Sequence, residues 1–150
     1  MMKSVMLWRG EVKGKPRPRF TRKGHAYMPD SYRCYESEIA MEYVKQGGLF
    51  YSGEVSVTLM TNRKPPKSQK GEAPDIKKVD IDNALKAFLD SLNGVAYADD
   101  AQVTAVKAYK LPRGRFQSDV TAVLVIENVD GKTNEERTRE WLRYTRSTRG

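Results

Sequence analysis

The chain predicts an α/β (α+β) domain, and three observations carry that expectation. Residues 54–61, EVSVTLMT, alternate Val55, Val57 and Leu59 with polar neighbours, the period-two pattern of a half-buried strand. Tyr32, Tyr35, Ile39 and Tyr43 recur at spacings of three and four, which lines up one apolar stripe on a helix. Strand-like and helix-like segments then follow one another along a chain of 150 residues, the size of a single domain. With 39% hydrophobic and 31% charged residues, that domain has a modest core and a heavily solvated surface.

Taken in order, residues 4–12 (SVMLWRGEV) read as a first strand, with only partial alternation. The following KGKPRPRFTRKGHAYMP is excluded from any helix interior, because Pro16 and Pro18 each remove an amide donor and Gly14 and Gly24 loosen the backbone. Pro29 with Asp30 or Ser31 starts a helix that Gly47-Gly48 ends. After the 54–61 strand comes a long, basic, proline-containing loop over 62–78; loops of that length are usually functional or disordered. A helix carries Leu85, Phe88, Leu89 and Leu92 on one face and ends near Gly94. Residues 102–112 and 118–128 read as two strands turned at Pro112-Arg113-Gly114, which predicts an antiparallel hairpin. The expected organisation is a main domain over 1–128 and a basic, partly helical tail over 129–150, gripped only by Trp141, Leu142 and Tyr144. That tail either docks on the body or orders on a partner.

Composition narrows the function classes. Nothing approaches the roughly 18 consecutive apolar residues of a membrane span, and Arg9 interrupts the start before it could serve as a signal peptide. The expectation is therefore a cytoplasmic protein without a membrane role. A lone cysteine, Cys34, rules out an internal disulfide and a cysteine-rich zinc site. The formal net charge of +8 fits a polyanion partner, although solubility alone also makes small proteins basic. Lys13, Lys15, Arg17, Arg19, Arg22 and Lys23 crowd the proline-stiffened arm, a display suited to successive phosphates. Lys64, Lys67, Lys77 and Lys78 extend the candidate DNA-binding set into the 62–78 loop. Phe20, His25 and Tyr27, interleaved in the arm, are placed either to stack on unpaired bases or to anchor the loop to the body.

Against that basic background, KKVDIDNALKAFLDSLNGVAYADDAQV (77–103) gathers five aspartates: Asp80, Asp82, Asp90, Asp99 and Asp100. An ordinary helix explains part of this. Asp82 suits the positive helix N-terminus, and Asp82, Lys86 and Asp90 follow at intervals of four, giving pairs worth about 0.2–0.5 kcal/mol each. Asp80, Asp99 and Asp100 are left without such a reason. If the chain after Gly94 brings Asp99-Asp100 back to the start of the helix, several carboxylates converge, and a hard divalent cation such as Mg²⁺ relieves their repulsion. Such an ion in a basic surface suits phosphodiester hydrolysis, with Lys86 offsetting charge on the phosphate.

The arrangement Asp80-x-Asp82-Asn83-x-x-Lys86, then Asp90-x-Leu92, then Asp99-Asp100-x-Gln102-Val103 resembles the RusA family of crossover (Holliday) junction endodeoxyribonucleases, often encoded by phages and prophages. The Gly14-Lys15-Pro16-Arg17-Pro18-Arg19 arm is similar to that of many phage members, and the resemblance spans roughly residues 12–127. It implies a mixed β-sheet with helices packed against it. It also implies a Mg²⁺- or Mn²⁺-dependent homodimer that resolves four-way DNA junctions by paired symmetric nicks, in DNA recombination and repair. Asp80, Asp82 and Asp100 would be the catalytic, metal-binding carboxylates, with Asp99 close by as a further metal residue and Lys86 the essential basic residue. No small-molecule cofactor is implied. Two other readings share these residues: a non-catalytic branched-DNA-binding module, and a nuclease acting on other branched nucleic acids.

Overall fold

The computed structural model describes residues 2–147. The last three positions of the expected tail, 148–150, lie outside the described residues. The elements are β1 (Lys3–Trp8), β2 (Arg19–Phe20), β3 (Ala26–Tyr27), α1 (Asp30–Lys45), β4 (Val55–Thr61), α2 (Ile81–Ser91), β5 (Val103–Lys110), β6 (Ala122–Asn128) and α3 (Gly131–Ser147). Four strands form one mixed sheet in the order β1-β6-β4-β5, while β2 and β3 make a separate two-stranded ribbon. The α+β class read from the sequence is what the structure has.

The sheet corrects one expectation. β5 and β6 are not a hairpin: β4 lies between them, parallel to β5 and antiparallel to β6. A central strand must be buried on at least one face and paired on both edges, and Val55, Val57, Leu59 and Thr61 are the buried residues that meet this. The route from β4 to β5 passes through α2, because parallel neighbours need a long crossover, usually helical. The Pro112–Gly114 stretch serves another purpose. Ala73 and Arg113 exchange backbone hydrogen bonds of 3.0 and 2.8 Å, tying the 111–121 connection to the long loop before α2. β1 is also shorter than the sequence suggests and ends at Trp8. The chain then folds back, and Trp8 Nε1 donates to the Glu11 carbonyl at 3.1 Å.

α1 and α2 pack on the sheet through the stripes expected of them. Tyr32, Tyr35, Ile39 and Tyr43 of α1 are buried, as are Leu85 and Phe88 of α2 and Leu92 at its end. Burying side chains of this size contributes roughly 1.5–3 kcal/mol each. Trp8 joins the layers edge-on, with ring centroids 5.7 Å from Tyr35 and 6.4 Å from Phe88. Ser4 adds a buried polar link: its Oγ lies 2.9 Å from Tyr51 Oη and accepts from Tyr43 Oη at 3.2 Å. Gly94 ends α2 at φ +82°, the left-handed position that glycine fills without steric cost. No helix among the described residues is long and apolar enough to cross a membrane.

Candidate active site

α2 begins at Asp80, which occupies the N-cap position with extended backbone, φ −67° and ψ 145°. An aspartate there ordinarily bonds the free amides of the first turn. Asp80 makes no such side-chain bond, so its carboxylate is left for other partners. Asp82 follows as the acid of the first turn, exposed. Neither expected pair of the helix face forms among the described residues: Asp82 and Lys86 are unpaired, and Asp90 takes Lys15 instead.

That substitution comes from the arm. Residues 12–16 run alongside α2, close enough that a side chain on Gly14 would collide with Asn83 Nδ2 and Val79 Cγ2. Asn83 Nδ2 donates to the Lys15 carbonyl at 3.1 Å, and the Lys15 ammonium reaches Asp90 Oδ2 at 2.5 Å. Asn83, one letter of the sequence motif, is therefore a clasp for the arm.

The Asp99-Asp100 turn is held by its own chemistry. Asp99 Oδ1 accepts from the Ala101 amide at 2.8 Å, and the Gln102 side chain accepts back from Asp99 N, a reciprocal capping box around one 3-10 turn. Gln102 Nε2 also donates to the carbonyls of Tyr51 and Gly53 at 2.9 and 2.8 Å, which staples the turn to the approach to β4. Asp99 thus has a local reason that its spacing did not suggest. Asp100 is half-buried against Asp90 and Asp99; burial, then those two carboxylates, raise its pKa above the ordinary value of 3.8. Burial and then Asp90 likewise raise Glu36. The Tyr97 hydroxyl, raised by burial and by Asp100 and Asp90, donates to the Leu89 carbonyl at 2.7 Å.

The acids are therefore divided. Asp80 and Asp82 stand at the first turn of α2, whereas Asp99 and Asp100 sit with Asp90 at its far end. An eleven-residue helix separates these ends by about 15 Å. The convergence of Asp99-Asp100 on the helix start is not made within the chain, and among the described residues no three acidic, His or Cys side chains gather as a metal cage.

A cleft of about 760 Å³ opens beside Asp80, between the arm and the two long loops. Lys13, Lys15, Lys64 and Lys78 from the expected DNA-binding set line it. Arg17, Arg19, Arg22, Lys23, Lys67 and Lys77 are exposed outside it. Arg9, Arg63 and Arg113 also line the cleft and were not among the residues expected there from the sequence. Phe20 and Tyr27 are 69% and 47% exposed, so a large part of each ring is open to solvent.

The family model for Endodeoxyribonuclease RusA matches residues 9–143, which carries the match past β6 and into α3. A Bacillus subtilis (strain 168) protein named "Uncharacterized protein YqaN" is 30% identical over 118 residues, covering 67% of this chain and 82% of that protein. With the motif, the mixed sheet and the arm clasped to α2 all in place, the chain belongs to the RusA endodeoxyribonuclease family.

Proposed function

We propose that this protein is a divalent-metal-dependent endonuclease that resolves four-way DNA junctions as a homodimer. The observation that carries the reading is Asp80: an N-cap carboxylate that does not cap, opening onto a cleft lined by seven Lys and Arg residues. Such a cleft draws in a phosphodiester backbone, and Asp80 with Asp82 meets it with acids that a hard cation would join.

The donor set fits Mg²⁺ or Mn²⁺ in kind. All candidates are carboxylates, and magnesium commonly takes one or two from the protein with water and substrate phosphate in its other positions. Asp80 and Asp82 are the residues proposed to hold it at the cleft; Asp99 and Asp100 would join them only by moving from the far end of α2, where Asp90 contacts Asp100. When bound, the ion supplies polarisation of the phosphate and a lowered pKa for attacking water. The chain's own residues do the rest. Lys13, Lys64, Arg63 and Lys78 hold the strand, and unpaired Lys86, between Asp82 and Asp90 on the exposed face of α2, meets the charge that develops on the phosphate. Two copies suit the substrate because a two-fold junction offers two equivalent strands to two identical sites. Recombination and repair, in a phage or its bacterial host, are the settings this activity serves.

Asp82→Asn separates this reading from a DNA-binding module. Cleavage is expected to fall by about 100-fold or more while junction affinity in gel shifts is kept. Unchanged cleavage by Asp82→Asn would remove that carboxylate from the chemistry.

A further inference from the structure

Asp75 lies in the long loop before α2, yet its side chain is completely buried. A buried carboxylate is costly unless cations or donors compensate it. Two cations approach: Arg63 Nε at 3.7 Å from Oδ2 and Lys110 Nζ at 3.9 Å from Oδ1. Neither carboxylate oxygen has a partner at hydrogen-bond distance. The hydrogen bonds of the two cations go elsewhere. Lys110 Nζ donates to the carbonyls of Lys77 and Val79 at 2.6 and 2.9 Å, and Arg63 Nη1 donates to the Lys77 carbonyl at 3.4 Å.

The Val79 carbonyl belongs to the peptide that enters Asp80. Asp80 bonds no helix amide through its side chain, so the first turn does not hold its carboxylate, and the peptide plane before it sets the direction in which the side chain leaves the backbone. We propose that Asp75, through Arg63 and Lys110, is a positioning residue that sets where the Asp80 carboxylate stands. Its negative charge holds two cations at one spot, and those cations hold the backbone on the approach to Asp80. Lys110, the last residue of β5, links this to the sheet, so that the rigid part of the molecule aims the carboxylate. The proposal rests on Asp80 acting at the metal.

The test compares Asp75→Asn, Lys110→Met and Lys110→Arg with the unaltered protein. Three readouts are needed: junction cleavage against Mg²⁺ concentration, junction binding without metal, and amide hydrogen exchange. For Asp75→Asn and Lys110→Met, cleavage is expected to fall about 10–100-fold, the range seen when groups supporting a ligand are removed. The Mg²⁺ needed for half-maximal rate should rise, binding should persist, and exchange should quicken over residues 76–84 but not in β1, β4 or β6. Lys110→Arg keeps a cation with donors and should recover most of the rate. Unchanged cleavage and exchange in both variants would overturn the proposal. So would faster exchange throughout the sheet, which would make Asp75 a support of the whole fold. If the unaltered protein cuts no branched DNA, the nuclease reading fails, and the exchange data alone decide whether the clamp exists.

Discussion

Asp100 stands against Asp90 and Asp99 with one ammonium, that of Lys15, paired into the group. Because its pKa is raised on folding, the folded chain holds the Asp100 proton more tightly than the unfolded chain. Stability therefore falls as pH rises from the ordinary carboxylate value through the higher folded one, and the penalty is fully present above that folded value. Asp100→Asn removes it. In metal-free buffer at pH 7 the melting temperature should rise by about 2–4 °C, a modest change for a chain of this size. A fall, read by calorimetry, would mean that Asp100 stabilises the fold instead. The motif made Asp80, Asp82 and Asp100 visible in the sequence, because carboxylates in so basic a chain are conspicuous. It did not separate ligands from scaffolding. Asn83 and Gln102 are clasps, and Asp99 is half a capping box. Asp75 gave no signal at all, since its burial depends on the end of β5 and on Arg63 folding back from the start of the same loop.

Helix stripes and the alternating β4 were legible because each depends on its own residues alone. Strand pairing was not. Two apolar runs on either side of a turn-like Pro-Arg-Gly suggest a hairpin, but the strand-helix-strand order of β4, α2 and β5 already allowed a parallel crossover. The buried central strand decided the matter by pairing on both edges. α3 shows the same limit. Its apolar Trp141 is 66% exposed, and the helix is tied to the body by polar contacts near its start. Glu54 collects them: Asn134 Nδ2 donates at 2.9 Å, Arg137 lies at 3.4 Å, and the Thr104 hydroxyl is bonded to the same carboxylate. The Thr104 and Asn134 hydrogen bonds, with Arg137, hold the Glu54 pKa below its ordinary 4.5. The anchoring is therefore present above that value and is lost as pH falls through the lower folded pKa. Glu54→Gln should reproduce the acid effect at pH 7, with amide exchange quickening over 131–140 and staying unchanged in β4 and β6. Equal protection in the variant would show that α3 is held by something else.

At the scale of the molecule, the protein joins two opposed charge patterns. The arm and the loops around 62–80 and 111–121 frame a basic cleft, and α2 carries acids at both ends beside it. The sheet supplies the rigidity: β5 delivers Lys110 to the entry of α2, and the turn just before β5 carries Asp100 to its exit. A cleft of this charge would attract duplex and branched DNA alike through phosphates, with an affinity that weakens as salt rises. Binding alone therefore decides little about function, and cleavage decides most. The most direct measurement is of nicking on a labelled four-way junction and on a linear duplex of the same sequence, each with Mg²⁺ and with EDTA. The account predicts paired nicks at symmetric positions in the junction with Mg²⁺, none with EDTA, and little cutting of the duplex. A junction that is bound but left intact in Mg²⁺ or Mn²⁺, or one that is cut equally well in EDTA, would contradict it.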